Sequence, residues 1–170
     1  MSLSVVVPIY NESENIKIFL ERTIAVIDKI NLKYEIIFVL DPSNDNSENI
    51  ILDNIKNNSN IKLIKMSRRF GQPAAILAGI KNSSYDYAVL IDVDLQDPPE
   101  LIEEMYVYAK KGFDTVLAER SSKIGENFLR KIIANIGYYL ISKLSETKIP
   151  MNVGEFRMIS RKIIGHICDL

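Results

Sequence analysis

V-L-I-D-V-D-L-Q-D-P-P-E, residues 89–100, carries the reading of the whole chain. Val89, Leu90 and Ile91 have the apolar run of a buried strand end, and four polar residues follow: Asp92, Asp94, Gln96 and Asp97. A helix is expected next. Asp97 is placed as its N-cap, Pro98 suits the first turn, and Glu100 completes a capping box three residues on. The acids therefore stand where a strand hands over to a helix, which in an open α/β sheet is the carboxyl edge, where ligands bind.

Asp92 and Asp94 are two residues apart and share a face on an extended backbone. Two carboxylates about 5 Å apart repel by about 3 kcal/mol at an effective dielectric near 20. A proton or a cation must offset that. Oxygen-only ligands favour Mg²⁺ or Mn²⁺, and Mg²⁺ is commonly held by one or two carboxylates plus a substrate's phosphates. Turn and capping chemistry accounts for Asp97 and Glu100 but gives no reason for the Asp92/Asp94 pair. A calcium loop fails as an explanation. Asp92, Asp94 and Glu103 fit its first, third and twelfth positions, yet the sixth is Asp97 rather than glycine and two prolines follow.

Working outward, the chain has 170 residues, 47% apolar and 25% charged, as expected of one domain with a substantial core. A net charge of −1 offers nothing to nucleic acid. The lone cysteine, Cys168, excludes a disulfide framework and fits a reducing compartment. No spanning helix is expected, because no window reaches 18 uninterrupted apolar residues, and the first residues read as a strand rather than a signal peptide.

Strands are expected over residues 3–9, 34–40, 61–66, 87–91 and 113–118, where β-branched and aromatic residues cluster. Helices are expected between them. The first is capped by Asn11 with Glu14 and buries Ile16, Phe19, Leu20, Thr23 and Ile27; the others cover residues 47–55, 73–81 and 100–111. This alternation predicts a Rossmann-like, mostly parallel sheet with helices on both faces. Neither G-x-G-x-x-G nor a Walker A sequence is present, so phosphates must be handled by a metal and basic residues rather than a glycine cradle.

Beyond Arg120 the pattern changes. A polar loop over 121–127 precedes a long helix over 128–144, whose broad apolar face suits either a membrane surface or a core position. The end of the chain, with G-E-F-R-M-I-S-R-K, reads as an extended piece and a short helix. His166 and Cys168 read as packing residues.

Taken together these stretches resemble family-2 glycosyltransferases of the GT-A fold, and most closely the branch that transfers a sugar to polyprenyl or dolichyl phosphate. V-V-V-P-I-Y-N-E-S-E-N-I is similar to that family's opening strand and turn, and V-L-D-P-S-N-D-N-S to its V-D-D-G-S-x-D-x-S/T. S-R-R-F-G-Q-P-A-A-I-L-A-G resembles S-R-N-F-G-K-x-A-A-x-x-A-G. L-I-D-V-D-L-Q-D-P-P-E matches the metal-binding signature, and G-E-F-R-M-I-S-R-K resembles G-D-F-R-L-x-x-R-K. The ordered set spans almost the whole chain.

The resemblance implies roles. Pro8, Tyr10, Glu12 and Asp41 fall at positions that hold the base and ribose of a nucleotide-sugar donor, a UDP- or GDP-sugar, and Arg68 lies in a loop near it. Asp94 and Gln96 match the ligands of Mg²⁺ or Mn²⁺, with Asp92 supporting the nucleotide or the metal's water shell. Arg120 and Arg157 match phosphate-binding residues, a task suited to a guanidinium fork. Glu155 stands where the family has an aspartate proposed as general base. Leu40, Pro42 and Arg69 replace a usual acid, glycine and asparagine.

The expected reaction is an inverting single displacement onto a lipid phosphate at the inner, cytoplasmic face of a membrane. Residues 1–120 would form the donor part and 121–170 the acceptor part of one domain, trimmed from a longer protein that carries C-terminal membrane helices. Two further readings stay open: a family-2 enzyme acting on a saccharide acceptor in surface-polysaccharide synthesis, and a nucleotide-sugar-binding domain without turnover. Self-association is left open.

Overall fold

A computed structural model describes residues 1–119 and 153–169. By compactness the chain divides into two units, Met1–Leu117 with Glu155–Leu170, and Ala118–Gly154. The expected helix over 128–144 and the candidate Arg120 lie outside the described residues.

Six strands form one sheet: β1 (Ser2–Ile9), β2 (Lys33–Leu40), β3 (Ile61–Lys65), β4 (Tyr87–Leu90), β5 (Thr115–Glu119) and β6 (Val153–Ser160). Their order is β3-β2-β1-β4-β6-β5. β1 runs parallel to both β2 and β4, β2 is parallel to β3, and β6 is antiparallel to β4. This is the mostly parallel α/β sheet expected from the alternation of elements. The apolar runs mark the centre: Val5, Val6 and Val7 of β1 and Ile36 to Val39 of β2 are fully buried, as strands covered on both faces must be.

The helices are α1 (Ile16–Lys29), α2 (Ser47–Asn57), α3 (Gln72–Lys81), α4 (Leu101–Lys110) and α5 (Arg161–Cys168). They fall into two sets, α1 beside α2 and α4, and α3 beside α5. The stripe expected on α1 is the one it buries, with Phe19 edge-on to Phe38 of β2 at 6.4 Å between ring centroids. α3 packs on β1 and β2. It comes close because Gly79 has no side chain: a Cβ there would overlap the Val6 side chain.

Two capping expectations fail, for local reasons. Asn11 does not start α1. Its side chain accepts instead from the Asn44 N–H (2.8 Å), with its own φ at +55°, and α1 begins only at Ile16, behind a turn over Glu12 to Asn15. Likewise α4 begins at Leu101 rather than just after Asp97. Pro98 and Pro99 each disfavour helical backbone in the residue before them, so the chain runs through turns first. The Glu100 carboxylate closes no box; it takes both arms of Arg22 at 2.9 and 2.6 Å and joins α4 to α1. That pairing holds the Glu100 carboxyl below the usual carboxylate range.

Candidate active site

The strand order reverses direction between β1 and β4, and at such a switch point the loops leaving the strands part to form a crevice. Here a cleft of about 330 Å³ opens over the carboxyl ends of β1, β2 and β4. β1 contributes Pro8, with Tyr10 and Glu12 just beyond it; Asp41 follows β2, and Asp92 and Asp94 follow β4. The first turn of α3 closes the fourth side with Gly71 and Gln72.

Asp41 is 3% exposed, and its carboxylate accepts from the Gly71 N–H (2.9 Å) and the Phe70 N–H (3.4 Å). The loop over 67–71 is thereby pinned to the end of β2. Gly71 holds φ +87°, a conformation that favours glycine, and α3 starts at the next residue. On the β1 side, the Glu12 N–H donates to Ser47 Oγ (3.0 Å) and its carboxylate accepts from Asn15 Nδ2 (2.7 Å). Asp45 clasps the same corner, accepting from the N–H groups of Ser13 (2.8 Å) and Ser47 (3.0 Å). Partial desolvation opposes its ionisation, but hydrogen bonds from Ser47 and Ser13 outweigh that and take the Asp45 carboxyl down to about 2. Together these bonds hold the two loops in register.

Asp92 and Asp94 sit past the end of β4 in a turn, and both face the cleft. Asp92 Oδ1 accepts from Gln72 Nε2 at 2.7 Å. Asp94 Oδ1 accepts from the Gln96 N–H at 3.0 Å, across Leu95 at φ +61°. Among the described residues no three acidic, histidine or cysteine side chains gather closely enough to hold a metal by themselves. Two oxygen donors facing a cleft suit a cation that draws its remaining ligands from a diphosphate and water, the habit of Mg²⁺ and Mn²⁺. The residues present fit such an ion.

The sequence-predicted set is thus brought together in part. Pro8, Tyr10, Glu12, Asp41, Asp92 and Asp94 share the cleft. Gln96 is exposed and is not among its lining residues. Arg68 is also outside the lining, its guanidinium lying 4.6 Å from the centroid of the Phe70 ring. Its neighbour Arg69 lines the cleft instead: it stacks on Tyr10 at 3.9 Å and donates to the Tyr10 hydroxyl at 3.2 Å. Arg157 and Glu155 lie on β6, joined by an ion pair of 2.7 Å. Arg157 is registered against Leu90, so Glu155 reaches past the end of β4 at the same sheet edge. Arg69 and Gln72 were missed as site residues. The signal for Arg69 was its departure from the asparagine of S-R-N-F-G; that for Gln72 was its place directly after the Gly71 turn.

The Glycosyl transferase family 2 sequence profile matches residues 4–168. An uncharacterized glycosyltransferase of Synechocystis sp. is 38% identical over all of this chain and 54% of its own length. The bactoprenol glucosyl transferase of Shigella phage SfV is 36% identical over 98% of this chain and 54% of its own. The chain thus spans about half the length of the curated relatives it matches. Among solved structures, a mannosyltransferase of Pyrobaculum calidifontis in complex with GDP-Man and Mn²⁺ superposes with a TM-score of 0.64 at 18% identity, covering 97% of this chain and 46% of that one. Glucosyl-3-phosphoglycerate synthase of Mycobacterium tuberculosis, in complex with Mn²⁺, UDP-Glc and phosphoglyceric acid, gives 0.64 at 19% identity, covering 95% and 57%. With its cleft at the switch point of a GT-A sheet and a profile match along nearly its whole length, this chain belongs to glycosyl transferase family 2.

Proposed function

We propose that the chain carries the donor site of an inverting, divalent-metal-dependent glycosyltransferase that moves a sugar from a nucleoside diphosphate to a polyprenyl phosphate. One observation carries this reading: Asp41, Tyr10 and Glu12 share a single cleft with Asp92 and Asp94. A nucleotide reader and a pair of metal-seeking carboxylates thereby sit within one ligand's length. The relative named for bactoprenol supports a lipid acceptor, and the neighbours solved with Mn²⁺ support the cation.

Asp41 presents a carboxylate to base N–H groups, and Tyr10 with its stacked Arg69 supplies a flat, donor-rich wall for base and ribose. Asp94, with Asp92 and Gln96 beside it, would hold Mg²⁺ or Mn²⁺. That ion would neutralise the diphosphate and stabilise it as a leaving group. An oxygen of the acceptor phosphate attacks the anomeric carbon from the face opposite the leaving group. As that bond forms, the bond from the anomeric carbon to the diphosphate oxygen breaks, and the nucleoside diphosphate departs with the electron pair. A phosphate monoester has a second pKa near 6, so its attacking oxygen is already ionised at neutral pH. The reaction then rests on positioning and electrostatics rather than on Glu155 as a base. Arg157, and Arg120 by resemblance, would steady the phosphates, and the acceptor places the reaction at a membrane surface. No helix among the described residues is long and apolar enough to cross a membrane.

The test is transfer from UDP- and GDP-sugars to short polyprenyl phosphates, with and without Mn²⁺, beside calorimetry of nucleotide binding. Metal-dependent product on lipid phosphate is expected, and Asp94→Ala should remove metal-dependent donor binding while the fold survives. Transfer to soluble saccharides but not to lipid phosphate would replace the acceptor, and metal-dependent binding without turnover on either would leave a binding domain.

A further inference from the structure

A second cavity, of about 280 Å³, adjoins the donor cleft, and Gln72 lines both. One wall is α3. Pro73, Ile76, Leu77 and Ile80 line it at i, i+3, i+4 and i+7, a single helix face running about 10 Å down from the cleft. Ile167 of α5 also lines it. The polar lining groups are Gln72 and Glu155, and both belong to the carboxyl edge of the sheet: Gln72 opens α3, and Glu155 lies beyond the Leu90–Arg157 pair. The cavity is therefore polar at the end nearest the reacting groups and aliphatic along its length. Ile76 and Ile80 are buried, while Leu77 stays 38% exposed on the lip.

We infer that this groove takes the first isoprene units of the lipid-phosphate acceptor, with the phosphate at the Gln72–Glu155 end. The inference rests on the acceptor reading above. Two features select this occupant. The groove meets the donor cleft at Gln72, which lines both, so a head group reacting over Asp92 has an aliphatic path for its tail within reach. Among the described residues its walls also hold no aromatic ring and no polar group below the carboxyl edge, whereas a saccharide chain requires hydrogen-bonding partners along its length. Glu155 does not repel the phosphate as a bare charge, because Arg157 is bound to it and brings a guanidinium to the same spot.

The experiment is photolabelling of the chain with a benzophenone-bearing farnesyl phosphate, followed by peptide mapping, with UDP–Mn²⁺ calorimetry alongside. Label is expected on the peptides of α3 or α5, displaced by farnesyl phosphate at least fivefold better than by dodecyl phosphate. Leu77→Glu should cut it about tenfold and leave UDP–Mn²⁺ binding unchanged. If Leu77→Glu loses its circular dichroism signal, Leu77→Gln is read in its place. Saturable label on other peptides, label indifferent to the Leu77 change, or equal displacement by dodecyl phosphate overturns the groove and leaves the lipid-acceptor reading standing. An absence of saturable label anywhere removes the lipid acceptor, and the groove with it.

Discussion

Gln72 Nε2 donates to Asp92 Oδ1 at 2.7 Å, while the adjoining Gly71 N–H donates to Asp41 Oδ2 at 2.9 Å. Two successive residues, one just before α3 and one at its start, thus hold two acids that line the same cleft. A neutral amide fixes the orientation of Asp92 without cancelling its charge. Hydrogen bonds to charged groups are worth about 1.5–3 kcal/mol, and this exposed one belongs at the low end. Gln72→Ala should weaken Mn²⁺-dependent nucleotide binding about tenfold while metal-free binding holds. Gln72→Glu should do worse, and its metal binding should recover only at higher pH, because a second carboxylate beside Asp92 favours protonation. Calorimetry across a pH series reads both, and an unchanged pH profile for Gln72→Glu would remove Gln72 from the metal side of the site.

Arg69 and Tyr10 make the matching prediction on the nucleotide side. A stacked guanidinium that also donates to the phenol holds the Tyr10 ring against the cleft wall. Exposed cation–π contacts are worth about 0.5–1 kcal/mol. Arg69→Ala should therefore raise the nucleotide Kd about three- to fivefold without touching its metal dependence. Arg69→Lys should restore charge but not affinity, since an ammonium lacks the planar fork. Full recovery by lysine would reduce Arg69 to a general electrostatic part.

Much of this was legible before any coordinates. Apolar runs of strand length separated by helical stripes fixed the alternation, and the run at residues 89–91 followed by acids located the edge where ligands bind. What the sequence did not disclose was long-range hydrogen bonding. Asn11 and Glu100 carry local capping signals, but Asn11 is spent on Asn44 and Glu100 on Arg22, partners 33 and 78 positions away. No local rule weighs such a competitor. For the same reason Arg68 and Arg69 could not be told apart: adjacent residues on a loop differ only in where the backbone aims them. The antiparallel strand β6 was likewise seen only as an extended piece, because its partner β4 lies far away in sequence.

The close seat of α3 on the sheet gives a stability prediction. A Cβ at Gly79 would overlap Val6 and press on Val39, both fully buried, so Gly79→Ala should cost about 1–3 kcal/mol in urea unfolding. Because α3 carries Gln72 and Gly71 at its start, the same change should also weaken nucleotide binding. Gly165 on α5 is the control, since a Cβ there meets nothing within 4 Å. Gly165→Ala should stabilise by about 0.5–1 kcal/mol through helix propensity alone. A neutral Gly79→Ala would mean that the helix can lift off the sheet at no cost.

Acid sensitivity should trace to Asp45. Its carboxyl titrates at about 2 in the folded chain against an ordinary 3.8, even though partial desolvation opposes ionisation, because the N–H and hydroxyl groups of Ser47 and Ser13 favour the ionised form. A folded pKa below the unfolded one means that stability is present in full above 3.8 and drains away as pH falls from there towards 2. Asp45 is exposed, so solvent screening limits its interactions to about 1 kcal/mol or less. Asp45→Asn keeps one acceptor and loses the charge. It should lower the urea midpoint slightly at neutral pH and converge with the parent chain as pH drops through that window. Glu35 adds to the acid limb. Burial resists its ionisation, but bonds from Lys62, Ser4 and the Ser84 N–H still hold its carboxyl below the ordinary value. The Asp45→Asn curve should therefore be shallower in acid rather than flat. A difference between the two chains that grew as pH fell would carry the wrong sign and exclude Asp45 as a source of the acid limb.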